Sequence, residues 1–109
     1  MTADDIINAA ATHFGVRPCD ILGPGRSKSL IRARHITLAI CRERLEMSYP
    51  ELGRVFGDRD HTTIMNAVKR ARHGRMNHPM WADDFNAIER AVLPWREEHE
   101  IEKLEMGAP

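Results

Sequence analysis

Residues 48–71, Ser48-Tyr49-Pro50-Glu51-Leu52-Gly53-Arg54-Val55-Phe56-Gly57-Asp58-Arg59-Asp60-His61-Thr62-Thr63-Ile64-Met65-Asn66-Ala67-Val68-Lys69-Arg70-Ala71, read as two helices and the turn between them. Ser48-x-x-Glu51 has the form of a capping box, in which the hydroxyl takes an orphan N–H of the first turn. It predicts a short helix from Tyr49 to Phe56 with Leu52, Val55 and Phe56 inward, and Gly57 stops that helix. Asp60 can cap the next one, where Ile64, Ala67, Val68 and Ala71 recur at i, i+3, i+4 and i+7 and form a buried stripe. Thr62, Asn66, Lys69 and His73 fall on its other side. Two short helices across Gly57-Asp58-Arg59 have the proportions of a helix-turn-helix, whose second helix enters the major groove of DNA.

The flanking sequence also reads as helix. Thr2-x-x-Asp5 opens a first helix with the stripe Ile6, Ile7, Ala10, Ala11 and Phe14, and Gly15 ends it. Pro18 to Leu22 forms one short turn closed by Gly23, and Pro24-Gly25 begins a loop. From Leu30 to Leu45 runs a long helix whose middle, Ile36-Thr37-Leu38-Ala39-Ile40-Cys41, is apolar nearly all round, which marks a central element. Trp81, Phe85, Ile88 and Val92, between Pro79 and Pro94, give a last packed helix. The expectation is an all-α, compact domain of about six helices over residues 1–93, with 94–109 an acidic tail that is either a solvated helix or frayed. With 109 residues, 42% of them hydrophobic, there is material for one core.

The formal net charge of zero conceals a separation of sign. Residues 26–75 hold twelve Lys/Arg against five Asp/Glu, a local +7, while residues 1–25 carry −2 and residues 76–109 carry −5. A basic middle suits a polyanionic partner. Cys19 and Cys41 have no CxxC spacing and read as core thiols in a reducing compartment. The acidic N-terminus is unlike a secretory leader, and no apolar run approaches the roughly 20 residues of a membrane span, so a cytoplasmic protein at the nucleoid is expected. The chain contains no G-x-x-x-x-G-K-[ST] phosphate loop, so no nucleotide or other cofactor is expected. Asp58, Asp60 and His61 match no strong metal-ligand pattern, and the scattered histidines form no catalytic constellation; the expectation is a binding protein, not an enzyme.

The residues at the start of the second helix suit base reading. His61 can donate or accept, and the two threonines offer a hydroxyl and a methyl that can meet the thymine C5-methyl. Helical phase leaves Thr63 open between a groove-facing residue and an inward spacer. Asp60 reads first as a cap, and second as a partner of Arg59 or Arg34 or an acceptor from cytosine.

Phe56-Gly57-Asp58-Arg59-Asp60-His61-Thr62-Thr63-Ile64 closely resembles the signature of the C-terminal DNA-binding domain of the bacterial replication initiator family DnaA. Arg26-Ser27-Lys28-Ser29, Arg32-Ala33-Arg34-His35-Ile36 and Ser48-Tyr49-Pro50-Glu51-Leu52-Gly53 are similar to the same domain in order and spacing, and the resemblance covers roughly residues 3–93. It implies a Trp-repressor-like helix-turn-helix fold and binding to a short, asymmetric, A·T-rich DNA box. It implies Arg26 in the minor groove, and Arg34, His35, Asp60, His61, Thr62 and Thr63 at the major-groove base edges. Lys28, Arg32, Arg42, Ser48, Pro50, Asn66 and Lys69 are implied at or near the phosphate backbone.

Two positions depart from the family pattern. His35 stands where the family commonly has Gln or another polar reader, which would either alter base preference or tie binding to pH near the ordinary His value. Asp58 replaces the usual second Gly of the turn, where a positive φ is expected; Asp tolerates that better than most residues. The absent ATPase points to a replication-initiation accessory or a transcriptional repressor at such boxes, binding as a monomer. A helix cap beside Met1 favours a freestanding chain, as from a phage or mobile element, over a fragment whose ATPase was removed. The alternative function is a protein-interaction module in which Trp81, Trp95, Ile101 and Leu104 join the acidic tail to bind a replication or transcription partner.

Overall fold

The computed structural model describes residues 1–92, which form six α-helices: α1 Ala3–Phe14, α2 Pro18–Leu22, α3 Lys28–Leu45, α4 Tyr49–Val55, α5 His61–Asn77 and α6 Pro79–Val92. No strand occurs among the described residues. The tail expected at 94–109, with Trp95, Ile101 and Leu104, lies outside them.

α3 is the central element and packs against each of the other five helices. Ile36, Thr37, Leu38, Ala39, Ile40 and Cys41 are all buried, as the all-round apolar run requires. The Thr37 hydroxyl is satisfied within the helix by donating to the Ala33 carbonyl at 2.6 Å. Burial pushes the Cys41 thiol up to about 12, so this sulfur is an inert core group. Cys19 differs from its expected role: it is exposed at the start of α2.

The other core stripes follow the sequence periodicity. Ile6, Ile7, Ala10 and Ala11 of α1, Ile64, Ala67, Val68 and Ala71 of α5, and Phe85 and Ile88 of α6 are buried together with Leu52 and Phe56. Val55 is the exception, 37% exposed, because α4 ends there and the chain turns before its side chain reaches the core. Phe14, Trp81 and Val92 pack against the core from its edge.

The helix ends show why the chain turns where it does. Thr2 and Asp5 form a reciprocal capping box, with the Asp5 N–H donating to Thr2 at 3.3 Å and the Thr2 N–H to Asp5 at 2.9 Å. At α4 only half of the predicted box forms. The Ser48 hydroxyl accepts from the Glu51 N–H at 3.2 Å, but it also donates to the Glu51 carboxylate at 3.0 Å, so that carboxylate does not reach back to the Ser48 backbone N–H.

Between α4 and α5 the turn uses two consecutive left-handed residues, Gly57 at φ 83° and Asp58 at φ 54°. It is closed by the Arg59 N–H donating to the Gly53 carbonyl at 2.9 Å. Gly53 is buried in α4, and a β-carbon built there would lie 2.2 Å from the Arg59 carbonyl oxygen. The absent side chain is therefore what lets the turn close against α4.

Candidate nucleic-acid interface

α5 divides cleanly. Its inner stripe is core, and Thr62, Thr63, Asn66, Lys69, Arg70 and His73 are exposed along the opposite side. Thr63 is thus on the outer face, which resolves the ambiguity of its helical phase. Asp60 caps the helix, its carboxylate accepting from the Thr62 N–H at 3.0 Å. It is mostly exposed, as is His61, whose Nδ1 lies 3.8 Å from the Asp60 carboxylate. Asp60 pairs with neither Arg34 nor Arg59; those guanidiniums go to backbone carbonyls instead.

Beside the start of α5 lies an open concavity lined by Arg26, Arg34, His35, Arg59, Thr63 and Arg70, with Leu22, Gly23, Pro24, Ile31 and Gly57 completing it. The fold thus brings the basic loop after α2 next to the first turn of α5. No carboxylate lines this surface. Among the described residues no acid lies within salt-bridge distance of Arg26, Lys28, Arg34, Arg59, Lys69 or Arg70, whereas Arg17, Arg32, Arg44, Arg72 and Arg75 are each paired. Positive potential is therefore neutralised elsewhere and left standing on the helix-turn-helix side.

Arg34, expected at the major-groove base edges, is largely engaged within the free protein. Only 5% exposed, it donates from Nε to the Ile21 carbonyl at 2.7 Å and from Nη2 to the carbonyls of Gly23 at 2.7 Å, Gly25 at 3.0 Å and Asp20 at 3.3 Å. Nε and Nη2 are thus committed to carbonyls from Asp20 to Gly25, so this side of the fork is taken up within the free protein. Burial, and then the nearby Arg59 charge, pull this guanidinium below its ordinary value.

Two of the residues implied at the phosphate backbone are also engaged within the protein. Arg32 lies 3.0 Å from the Asp84 carboxylate of α6, without hydrogen-bond alignment, and stacks over Phe14 at 5.4 Å. Arg42 donates to the Met47 carbonyl at 2.7 Å and sits over Tyr49 at 4.5 Å, holding the α3–α4 connection. Ser48 is the half-buried cap of α4. Lys28, Pro50, Asn66 and Lys69 remain exposed.

His35 is half-buried at the wall of the concavity. Desolvation first, then the charges of Arg70, Arg34 and Arg59, lower its pKa to about 4. In the free protein the ring is neutral at neutral pH, so its titration lies well below the ordinary His range on which the sequence expectation rested. The linkage has a definite sign. The unfolded chain takes up a proton near pH 6.5 and the folded one only near 4, so the contribution of His35 to stability is full above 6.5 and lost as pH falls toward 4. Thermal unfolding across that window should show His35→Gln losing less stability than the wild type. Parallel curves for the two proteins would contradict this.

Arg59 and Arg70 are the residues that sequence reasoning passed over. Arg59 was hidden inside the turn, and nothing in its spacing shows that it reaches back 36 residues to donate to the Gly23 carbonyl, at 2.6 Å. Arg70 was findable, since its helical phase places it with Thr63 and Asn66 on the outer side of α5.

A short helix, a left-handed turn and a longer helix with an unpaired cationic outer face define a helix-turn-helix of the DNA-binding class. The comparisons agree. The family model described as the bacterial dnaA protein helix-turn-helix matches residues 3–71, and the chain belongs to that family. It is 35% identical over 92 residues to the chromosomal replication initiator protein DnaA of Ruegeria pomeroyi, covering 84% of this chain and 20% of that protein. The initiator of Caulobacter sp. strain K31 is 34% identical over 84% of this chain and 19% of its own length. That of Neisseria meningitidis is 33% identical over 81% and 17%. The chain spans about a fifth of the length of the curated relatives it matches. Among the described residues no helix is long and apolar enough to cross a membrane, and no group of His, Cys, Asp or Glu is placed to hold a metal ion.

Proposed function

We propose that the chain binds duplex DNA sequence-specifically at a short, asymmetric, A·T-rich box and acts there as an accessory or regulator of replication initiation. The observation that carries this reading is the single cationic surface joining the Arg26 loop to the exposed start of α5. In it Arg26 enters the minor groove, while His61, Thr62 and Thr63 meet base edges in the major groove. Asp60 serves chiefly as the cap that fixes their position. Lys28, Lys69 and Arg70 supply the phosphate attraction, and Arg34 acts from beneath the surface.

The base-reading and phosphate roles separate experimentally. Fluorescence anisotropy on a labelled A·T-rich duplex should show His61→Ala with Thr62→Ala losing about 10–100-fold in affinity for the preferred sequence, the loss of one or two base contacts. Affinity for a scrambled duplex should hardly move. With these three cations at the backbone, the slope of log affinity against log salt should be roughly −3 in both proteins. Equal losses on both duplexes would contradict base reading by α5.

A further inference from the structure

We infer that Arg59, together with Arg34, clasps the loop carrying Arg26 and sets the register of this minor-groove arm against α5. This rests on the DNA-binding reading above and adds positioning residues to it. The two guanidiniums converge on one acceptor: the Gly23 carbonyl takes Arg34 Nη2 at 2.7 Å and Arg59 Nη2 at 2.6 Å. Arg59 also donates from Nε to the Phe56 carbonyl at 2.7 Å, at the end of α4. One planar side chain thereby ties the α4–α5 turn to the α2–α3 loop.

Little else holds that loop. Pro24 has no N–H to give, and among the described residues no backbone–backbone hydrogen bond outside the helices involves residues 23–26. Its carbonyls at Gly23 and Gly25 are instead held by arginine side chains. Arg26 follows directly, exposed and without a carboxylate partner, at the edge of the concavity that Thr63 also lines. An arm must be fixed relative to the recognition helix if both are to meet neighbouring grooves of one duplex, since ordering a free loop on binding costs affinity. Arg59 begins the sequence Arg59-Asp60-His61, so its backbone belongs to the turn that places α5 while its side chain fixes the arm. Lysine would keep the charge but not the two-nitrogen fork.

Two measurements test this on Arg59→Lys and Arg59→Met. In the free protein, limited trypsin digestion followed by mass spectrometry should show faster cleavage after Arg26 in both variants at temperatures where circular dichroism shows them folded. On DNA, 2,6-diaminopurine replaces adenine in the A·T-rich duplex, adding a minor-groove amino group while keeping the major-groove edge. The wild type should lose on the order of tenfold in affinity from that change, the worth of a groove contact. Both Arg59 variants and Arg26→Ala should lose less than about twofold, and Arg26→Ala with Arg59→Lys should behave as Arg26→Ala alone.

An Arg59 variant that keeps the full diaminopurine penalty and the wild-type cleavage rate overturns the clasp, whatever its stability. If the wild type prefers no duplex, the DNA-binding reading fails, while accelerated cleavage after Arg26 in the free variants would still support the clasp.

Discussion

Gly53→Ala is expected to collapse the helix-turn-helix, lowering stability by about 3 kcal/mol or more. The added β-carbon would stand 2.2 Å from the Arg59 carbonyl oxygen, a backbone atom that cannot move aside as a flexible side chain could. Relief requires the turn to open, and opening it stretches the hydrogen bond from the Arg59 N–H to the Gly53 carbonyl. It also draws Arg59 away from Gly23 and lifts Ile64, whose side chain lies 3.9 Å from the same added atom, out of the core. A domain of this size loses roughly 4–8 °C of Tm per kcal/mol, so thermal unfolding should shift down by at least about 10 °C. A Tm within a few degrees of wild type would show that the turn is slacker than its geometry requires.

The second large effect is at Arg34. Arg34→Met preserves much of the side-chain volume but strands the Ile21 and Gly25 carbonyls, which lose their only side-chain donor, and leaves Gly23 to Arg59 alone. Leaving such buried acceptors unpaired should destabilise the fold by roughly 2–5 kcal/mol. A base-reading arginine would behave in the opposite way, since its removal weakens DNA binding and leaves the free protein's Tm unchanged. Thermal unfolding without DNA therefore decides between the two roles: a drop of many degrees is expected, and an unchanged Tm would return Arg34 to the groove.

The contrast between Arg34 and Asn66 shows what the sequence could and could not reveal. Local features were legible, because helix periodicity, caps and glycine stops act over three to seven residues; α1, α3, α5 and α6 and the Thr62, Asn66, Lys69 and His73 side of α5 followed from them, while the left-handed residue at Asp58 was implied by the family pattern. Long-range use of a side chain leaves no such trace. Arg32, Arg34 and Arg42 are equally basic letters. One is taken by Asp84 of α6, one by carbonyls 9 to 14 residues away and one by the α3–α4 connection, and only the assembled packing distinguishes them. Val55 failed for a related reason. Its helical phase pointed inward, but α4 ended before the phase could be realised.

His35 adds a different limit. Its identity suggested a pH-responsive reader, yet burial, and then three arginines from α5, α3 and the α4–α5 turn, move its titration out of the range that identity implied. The same crowding of cations without carboxylate partners leaves positive potential on this surface.

The central claim is that this surface reads sequence and does not merely attract phosphate. An unbiased selection from a randomised duplex pool, at salt high enough to suppress nonspecific binding, tests it most directly. The expected result is enrichment of one short, non-palindromic motif with an A·T block on the Arg26 side, abolished by His61→Ala with Thr62→Ala. A pool that stays unenriched, or that yields the same motif with the double variant, would contradict it.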